Sequence, residues 1–388
     1  MIYRTNQKNG DKLSQLGFGC MRFPKSDDEL LEIISYAIEN GVNYFDTAYV
    51  YGNSEERLGA CLKKLNAREK VKIATKLPPW KCKSYEDFDK LFETSLKRLQ
   101  TDYIDYYFIH SLGDLSGWQR MKNFGVLKWI DEKKSQGKIK NIGFSYHGGK
   151  EEYLRICDAY NWEFSMIQYN YLDENNQAGK SGLHYAVSKG LTVMVMGPAR
   201  GGMLAGKLPK DAITTFEEAY IKRSPAEWAF RWVYNQPEVT CVLSGMSNMK
   251  MLEENIEVAS TANAGDFTDD DFEVINNARK ALTKAIKIPC TGCSYCMPCP
   301  QGVDIPSCLS SYNDIFIDGK VRAFQSYLQQ TSMKTNPQMA SNCNACGKCE
   351  PLCPQKIEIR AELSKVSKTF EKFYFKLILF FVKRFMKL

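Results

Sequence analysis

Short apolar runs alternate with longer segments of helical period between about residue 14 and residue 285. Runs rich in β-branched and aromatic residues indicate strands, and apolar residues that recur every three or four positions indicate helices. In segment 28–40, for example, Leu30, Ile34 and Ala37 form one apolar stripe, which stops at Gly41. Eight runs are predicted to be strands: 16–20, 43–47, 71–76, 104–110, 139–145, 166–169, 192–196 and 239–243.

Eight strands alternating with helices in this length predict an α/β protein with a (β/α)8 TIM barrel, whose active site lies where the strands end. A doubly wound open sheet is the alternative fold. The first strand is not followed by the G-x-G-x-x-G motif that such a dinucleotide-binding sheet would carry. The barrel is therefore the favoured prediction.

After Lys287 the pattern changes to Cys, Pro and Gly residues around two helical stretches, 305–316 and 320–330. This change predicts a second, smaller domain. We expect a barrel over 1–285, a small α-helical ferredoxin-like domain over 286–362 and a basic amphipathic tail over 363–388.

Composition and charge narrow the function. The 388 residues are 44% hydrophobic, enough for a large core and a second domain. Most of the net charge of +7 belongs to the tail from Lys365 onward, which has seven basic residues and one acidic residue, Glu371. The rest of the chain is nearly neutral, which argues against a folded domain that binds nucleic acid.

Because no secretory signal follows Met1, a cytoplasmic protein is expected.

The tail also carries an apolar run at 373–382, interrupted by Lys376 and flanked by basic residues. Ten residues are too few to cross a bilayer, which needs about twenty. A basic helix with a Phe-rich face can lie on an anionic membrane surface. Peripheral membrane contact and a helix packed back on the protein both remain open.

Nine of the fourteen cysteines lie between Cys290 and Cys353. Cytosolic cysteines in such clusters indicate metal ligation, because cellular reductants keep ordinary thiols from pairing. The two clusters are Cys290-x2-Cys293-x2-Cys296-x2-Cys299-Pro and Cys343-x2-Cys346-x2-Cys349-x3-Cys353-Pro.

This spacing indicates two 4Fe-4S clusters, since structural zinc, the alternative, prefers two separated cysteine pairs. In two-cluster ferredoxins the cysteine before Pro binds the other cluster. The expected sets are thus Cys290, Cys293, Cys296 with Cys353, and Cys343, Cys346, Cys349 with Cys299. The shorter spacing before Cys299 departs from the usual motif and leaves its ligation open. The helical linker makes the domain resemble α-helical ferredoxin modules.

Four polar residues sit at the ends of consecutive predicted strands: Asp46, Tyr51, Lys76 and His110. A carbonyl that accepts hydride needs a proton donor, and a tyrosine with an ordinary pKa of about 10 is a poor donor at neutral pH. A neighbouring ammonium stabilises the phenolate. Tyr51 is therefore the expected acid, Lys76 its activator, Asp46 the partner of Lys76, and His110 a hydrogen-bonding partner of the substrate oxygen or a second proton carrier.

The order, spacing and strand positions of these residues resemble the catalytic tetrad of aldo/keto reductases over roughly the first 285 residues. The resemblance implies NADP or NAD bound across the barrel mouth and a small carbonyl or alcohol substrate. It also implies that Tyr169 stacks on the nicotinamide. The other implied contacts are Ser145, Gln168 and Asn170 at the nicotinamide, and Ser244, Gly245, Asn248 and Asn255 at the adenosine.

The adenosine segment departs from the family pattern. Many family members place a Lys and an Arg there for the 2′-phosphate, whereas Gly245 and Met251 align with those positions and only Lys250 is nearby. Without basic side chains to bind the 2′-phosphate, the site would discriminate only weakly between NADPH and NADH. The choice between NADPH and NADH stays open.

These features predict an NAD(P)H-dependent carbonyl reductase fused to an electron-transfer module. Nicotinamide passes two electrons as hydride, while a cubane accepts one, so direct coupling needs a flavin between them. The sequence shows no flavin-binding signature, so a flavin is unsupported by the sequence. Either a flavin comes from a partner or occupies the barrel, or the clusters are structural or sensory. The electron partner expected for the clusters is a ferredoxin or a flavoprotein. The alternative is a redox-sensing regulatory subunit that binds nicotinamide with little turnover.

Overall fold

The computed structural model describes residues 1–206, 208–317, 319–332, 336–373 and 375. The described strands are β1 (Tyr3–Thr5), β2 (Lys12–Ser14), β3 (Leu16–Gly19), β4 (Tyr44–Asp46), β5 (Lys72–Leu77), β6 (Ile104–Leu112), β7 (Ile139–Tyr146), β8 (Phe164–Gln168), β9 (Thr192–Met196) and β10 (Val239–Ser244). The described α-helices are α1 (Asp27–Glu39), α2 (Ser54–Lys64), α3 (Tyr85–Leu99), α4 (Leu115–Asn123), α5 (Val126–Ser135), α6 (Lys150–Asp158), α7 (Gly179–Ser188), α8 (Met203–Gly206), α9 (Lys210–Glu218), α10 (Pro225–Tyr234), α11 (Met249–Thr261), α12 (Asp269–Ala285), α13 (Ile305–Ile317), α14 (Lys320–Tyr327) and α15 (Ile359–Phe370).

Eight parallel strands close into a barrel in the order β10-β3-β4-β5-β6-β7-β8-β9. This confirms the predicted (β/α)8 fold, and each of the eight predicted strands is present. Helix α1 shows why the local sequence folds as expected. Ser26 accepts a hydrogen bond from the Glu29 amide at its N-terminus, and Gly41, at φ +88°, follows its C-terminus in the left-handed conformation that glycine adopts most readily.

The sequence pattern did not predict the antiparallel hairpin formed by β1 and β2. Its turn lies against the N-terminal ends of the barrel strands. Asn6 donates to the Tyr106 hydroxyl at 3.1 Å and accepts from Thr192, the first residue of β9, at 2.7 Å. These contacts place the hairpin at one end of the barrel and leave the carboxyl ends of the strands for chemistry.

The chain forms two compact units. The first is Met1–Ala199 with Ala226–Thr268, which contains the whole barrel sheet, and the second is Arg200–Pro225 with the described part of 269–388. Helices α9 and α12 group with the second unit, where Arg223 binds Asp271 at 2.8 Å.

Helices α13, α14 and α15 build the core of the second unit. The ring of Tyr327 stacks on Phe370 at 4.7 Å between centroids, and Val366 and Phe375 are buried beside them. Helix α15 thus begins before residue 363 and carries the buried core past it. Most of the predicted apolar run 373–382 lies outside the described residues. Among those that are described, no helix is both long and apolar enough to cross a membrane.

Candidate functional site

Strand alternation places three of the four predicted catalytic residues inside the barrel mouth. Successive side chains of a strand point to opposite faces, so residues two apart share a face. Tyr44, Ala74 and Phe108 belong to the packed barrel interior. Asp46, Lys76 and His110 lie two positions after them on β4, β5 and β6. The sequence therefore directs all three side chains into the barrel at its carboxyl end.

Lys76 makes the closest contacts of this group. Its Nζ donates to Oδ1 of Asp46 at 2.5 Å and to the carbonyl oxygen of Thr47 at 2.6 Å. Both side chains of the ion pair are almost fully buried, at 1% and 5% exposure. Burial raises the pKa of the Asp46 carboxyl, and the charge of Lys76 opposes that rise. The pair therefore fixes an ammonium at the mouth.

Tyr51 and His110 adjoin this ammonium. Lys76 Nζ lies 5.0 Å from the centroid of the Tyr51 ring, and the Tyr51 and His110 rings meet edge to face at 5.9 Å. Trp80 packs on His110 at 5.3 Å and is itself about half exposed. The structure thus brings the four predicted residues together. Trp80 is an aromatic wall of the site that the motif analysis missed.

His110 is neutral in this environment. Its burial, reinforced by the nearby charge of Lys76, holds the pKa of the imidazole well below its ordinary value. A neutral imidazole can donate or accept a hydrogen bond at neutral pH, but it is not a charged acid there.

The residues predicted at the nicotinamide lie on β7 and at the end of β8. Ser145 Oγ accepts from the Ser111 amide at 2.7 Å. Gln168 and Asn170 both donate to Oδ2 of Asp173, at 2.9 and 3.1 Å, so one carboxylate orients both amides. Asp173 was not predicted from the sequence, where its position three residues after Asn170 is the signal that could have indicated it.

Tyr169 is fully buried, and its ring packs on Trp232 at 5.0 Å between centroids. Its predicted stacking on nicotinamide stays a prediction.

A second polar group extends this region. His147 Nδ1 lies 3.1 Å from Oε1 of Gln177, whose Nε2 donates to Gln168 at 3.3 Å. Burial lowers the pKa of His147 to about 4, although its hydrogen bond with Gln177 acts in the opposite direction.

The predicted adenosine segment connects β10 to α11. Ser244 Oγ accepts from Asn255 at 2.9 Å, while Asn248 caps α11 by accepting from the Met251 amide at 3.0 Å. Gly245 is exposed beside them. Met251 is 46% exposed at the first turn of the helix. These residues form a turn and a helix N-terminus, a combination suited to binding an anion.

The cysteines of the second unit surround two cavities. The larger, about 220 Å³, is lined by Cys299 together with Cys343, Cys346 and Cys349. The smaller, about 20 Å³, is lined by Cys353 together with Cys290, Cys293 and Cys296. Cys296 also borders the larger cavity. Each motif's last cysteine thus lies with the first three of the other motif.

Thiolates are the ligands that iron-sulfur clusters take from proteins, and five cysteines line the larger cavity and four the smaller one. Among the described residues, no three His, Cys, Asp or Glu side chains come close enough to hold a single metal ion. Cys308 lies apart from both sets, fully buried in the core. The donor set fits two clusters of the 4Fe-4S kind.

Two protein families match the two parts of the chain. Residues 15–280 match the aldo/keto reductase family, and residues 289–358 match the 4Fe-4S dicluster domain. The chain is 28% identical to the uncharacterized oxidoreductase YqkF of Bacillus subtilis, over 69% of this chain and 93% of that protein. It is 27% identical to L-galactose dehydrogenase of Arabidopsis thaliana, over 65% and 86% of the two chains.

Among solved structures, the holo form of the aldo-keto reductase AKR11C1 from Bacillus halodurans is similar, with a TM-score of 0.61 and 25% identity. The match covers 72% of this chain and 97% of that one. The barrel, the residues at its mouth and these matches lead to one assignment: the chain belongs to the aldo/keto reductase family and carries a C-terminal 4Fe-4S dicluster domain.

Proposed function

We propose that the barrel reduces a small carbonyl substrate with NADPH or NADH, or oxidises the corresponding alcohol in the reverse direction. One observation carries this proposal. The buried Lys76 ammonium, paired with Asp46, lies against the ring of Tyr51, and His110 adjoins the same ring. A phenol, a fixed positive charge and a neutral imidazole at one mouth are the groups that carbonyl reduction requires of the protein.

Reduced nicotinamide, when bound, supplies the hydride. Negative charge then develops on the substrate oxygen, and the Tyr51 hydroxyl donates its proton to that oxygen. Lys76 stabilises the phenolate that remains, because an ammonium favours the charged form of a neighbouring acid. Asp46 holds Lys76 in place through the 2.5 Å contact.

His110 has a different role in this proposal. Burial and the charge of Lys76 keep the pKa of the imidazole well below its ordinary value, so His110 carries no extra proton to give at neutral pH. A hydrogen bond from the neutral ring to the substrate oxygen would orient the carbonyl toward Tyr51. Trp80, which packs on His110, supplies an apolar wall for the substrate.

The nicotinamide cofactor is proposed to contact two groups of residues. Ser145, Gln168 and Asn170 would lie near the nicotinamide, and Gln168 and Asn170 would bind its carboxamide. The hydrogen bonds of both amides to Asp173 support this role. The turn that contains Ser244, Gly245 and Asn248, together with Asn255, would contact the adenosine end. The hydrogen bonds that order this turn support the proposal.

The second unit is proposed to hold two 4Fe-4S clusters with exchanged fourth ligands. One would be bound by Cys290, Cys293, Cys296 and Cys353, the other by Cys343, Cys346, Cys349 and Cys299. The linings of the two cavities support this assignment. The clusters would pass single electrons to or from a ferredoxin or flavoprotein partner. Of these two, a flavoprotein would provide the flavin that links one-electron transfer to hydride chemistry.

A second candidate function is redox sensing by a nicotinamide-binding subunit with little turnover. The sequence observation that favours it is the absence of a flavin signature between the hydride and one-electron chemistries. Wild-type protein that binds NADPH tightly but reduces none of a broad aldehyde, ketone and aldose panel would favour this candidate.

Substitution of Tyr51 by Phe tests the main proposal. In anaerobically purified full-length protein, Tyr51→Phe should lower kcat about 10²- to 10⁴-fold, the usual contribution of a general acid, while the Kd for NADPH stays unchanged. Tyr49→Phe is the matched control, because the Tyr49 ring lies over Arg98, at 4.6 Å, and not over Lys76. Near-wild-type turnover of Tyr51→Phe would contradict the assignment.

A further inference from the structure

Arg200 places a buried positive charge beside the first cysteine loop. Its side chain is only 5% exposed, and its Nη2 donates to the carbonyl oxygen of Pro289 at 3.3 Å. Pro289 directly precedes Cys290, the first thiol of the loop. Arginine keeps its charge in proteins, so this guanidinium is a permanent cation next to the loop.

The backbone at Arg200 is unusual. Its φ is +48°, and Gly201 and Gly202 continue the left-handed region at +70° and +95°. A residue with a Cβ is disfavoured there by about 1–2 kcal/mol, and glycine would relieve the cost. The chain nevertheless has an arginine at this position, and the turn directs its side chain to Pro289. This cost is consistent with a functional role for the guanidinium.

The second cysteine loop has a different cation. Arg360 lines the larger cavity, but its side chain is 50% exposed and it binds the Glu350 carboxylate through Nη2 at 2.7 Å and Nε at 2.9 Å. Solvent screens this guanidinium and an opposite charge neutralises it. The cation at the second loop is thus half exposed, whereas Arg200 at the first loop is buried.

We infer that Arg200 raises the reduction potential of the cluster bound by Cys290, Cys293, Cys296 and Cys353. The inference rests on the proposed two-cluster function. One-electron reduction adds a negative charge to the cluster, and a buried cation stabilises that charge because screening is weak in the protein interior. Arg200 does not line either cavity. It is thus a positioning residue, which acts through its field and through the Pro289 carbonyl.

The test is a potentiometric titration of full-length, anaerobically reconstituted protein, with dithionite as the reductant and electron paramagnetic resonance as the readout. Arg200→Gln should shift one of the two midpoint potentials to a more negative value and leave the other unchanged. Arg200→Lys, which retains the charge, should keep most of the wild-type potential. The signal that moves should be the one that Cys290→Ser alters.

Arg360→Gln is the control at the other loop and should leave the Arg200-dependent potential unchanged. Wild-type midpoints in Arg200→Gln with full iron content would overturn the inference. If Arg200→Gln loses iron, the midpoint potential of Arg200→Lys becomes the deciding measurement. A potential that falls in Arg200→Lys, despite the retained charge, would also overturn the inference. Iron and sulfide in the wild type are measured first. A count below two clusters there contradicts the proposed function itself, independently of Arg200.

Discussion

Nζ of Lys76 lies 2.5 Å from Oδ1 of Asp46, and both side chains are buried in the barrel mouth. Replacing a buried ion pair by apolar residues is often neutral or stabilising, because both charges must leave water to form it. The pair therefore adds little net stability. Its value to the protein is the fixed ammonium beside Tyr51.

The buried ion pair predicts a strong coupling between Asp46 and Lys76. Asp46→Asn and Lys76→Met should each destabilise the barrel by about 3–5 kcal/mol, because each leaves an uncompensated buried charge. The double variant should regain most of that stability and still lack carbonyl reduction. Urea unfolding and kcat/KM measured over the double-mutant cycle check this. Additive losses of stability would contradict it.

Met251 provides a test of cofactor choice. Because its side chain is 46% exposed at the first turn of α11, an arginine there has room to reach a 2′-phosphate. Met251→Arg should raise the affinity for NADPH about tenfold, the equivalent of one charge-assisted hydrogen bond of about 1.4 kcal/mol, and leave NADH unchanged. Both Kd values should be measured, with Met251→Gln as the uncharged control. An equal change for the two cofactors would count against the assigned adenosine site.

Cys299 tests the exchange of fourth ligands. It lines the cavity of Cys343, Cys346 and Cys349, not that of its own motif. Cys299→Ser should therefore alter the cluster of the second motif, and Cys353→Ser that of the first. Wild type should hold about eight irons per chain.

Iron, labile sulfide and magnetic spectra of the reduced protein are the measurements for these variants. Cys308→Ala is the control, since this thiol is buried in the core away from both sets. About four irons in wild type, with Cys299→Ser unchanged, would defeat the two-cluster proposal.

The end of α15 is predicted to be indispensable to the second unit. Truncation before Lys365 removes Val366, Phe370 and Phe375 from the core, and with them the stacking partner of Tyr327. Loss of several buried apolar side chains costs about 2–5 kcal/mol each, so this variant should fail to retain clusters. Iron content and protease resistance are the readouts.

Truncation after Phe375 is the matched control and should keep the clusters, because the described core stays complete. The same variant tests peripheral membrane contact, one of the two alternatives left open by the sequence of the tail. If 376–388 binds anionic surfaces, its removal should abolish salt-sensitive binding to phosphatidylserine vesicles and spare reductase activity. Unchanged vesicle binding would rule out that role for the tail.

His147 predicts a pH dependence of stability. Its pKa is lowered to about 4 in the folded protein, against about 6.5 when unfolded, so between these values the unfolded chain binds more protons. Stability is therefore fully present above pH 6.5 and falls by at most about 1.4 kcal/mol per pH unit toward pH 4. His147→Gln should reduce this slope in urea unfolding followed by tryptophan fluorescence. An unchanged slope would contradict the assignment.

The barrel was predictable from the sequence because eight strand-like apolar runs alternate with segments of helical period, one pair for each unit of the barrel. The mouth was predictable because Asp46, Lys76 and His110 follow apolar strand residues at a spacing of two. Trp80 and Asp173 were not, since Trp80 lies in a short 3-10 helix and Asp173 in a loop, and neither segment has a helix or strand period that would mark its inward side chains.

The second unit shows a limit of helical patterns. The apolar stripe of segment 320–330 suggests Val321, Phe324 and Leu328 as the inner face, yet Val321 is 74% exposed. Ala323 and Tyr327 are the fully buried residues of α14. In so small a domain the stacking of Tyr327 on Phe370 sets the rotation of the helix. A pairing with a residue so distant in sequence leaves no signal in the local pattern.

The position of Phe370 and Phe375 in the core has a consequence for biosynthesis. Both follow every ligand cysteine in the chain and must emerge from the ribosome before the core they complete can close. The barrel sheet ends with β10 and can fold while the rest of the chain is still being translated. Iron and sulfide are therefore expected to enter only after Phe375 has left the ribosome, when all strands of the barrel have already emerged.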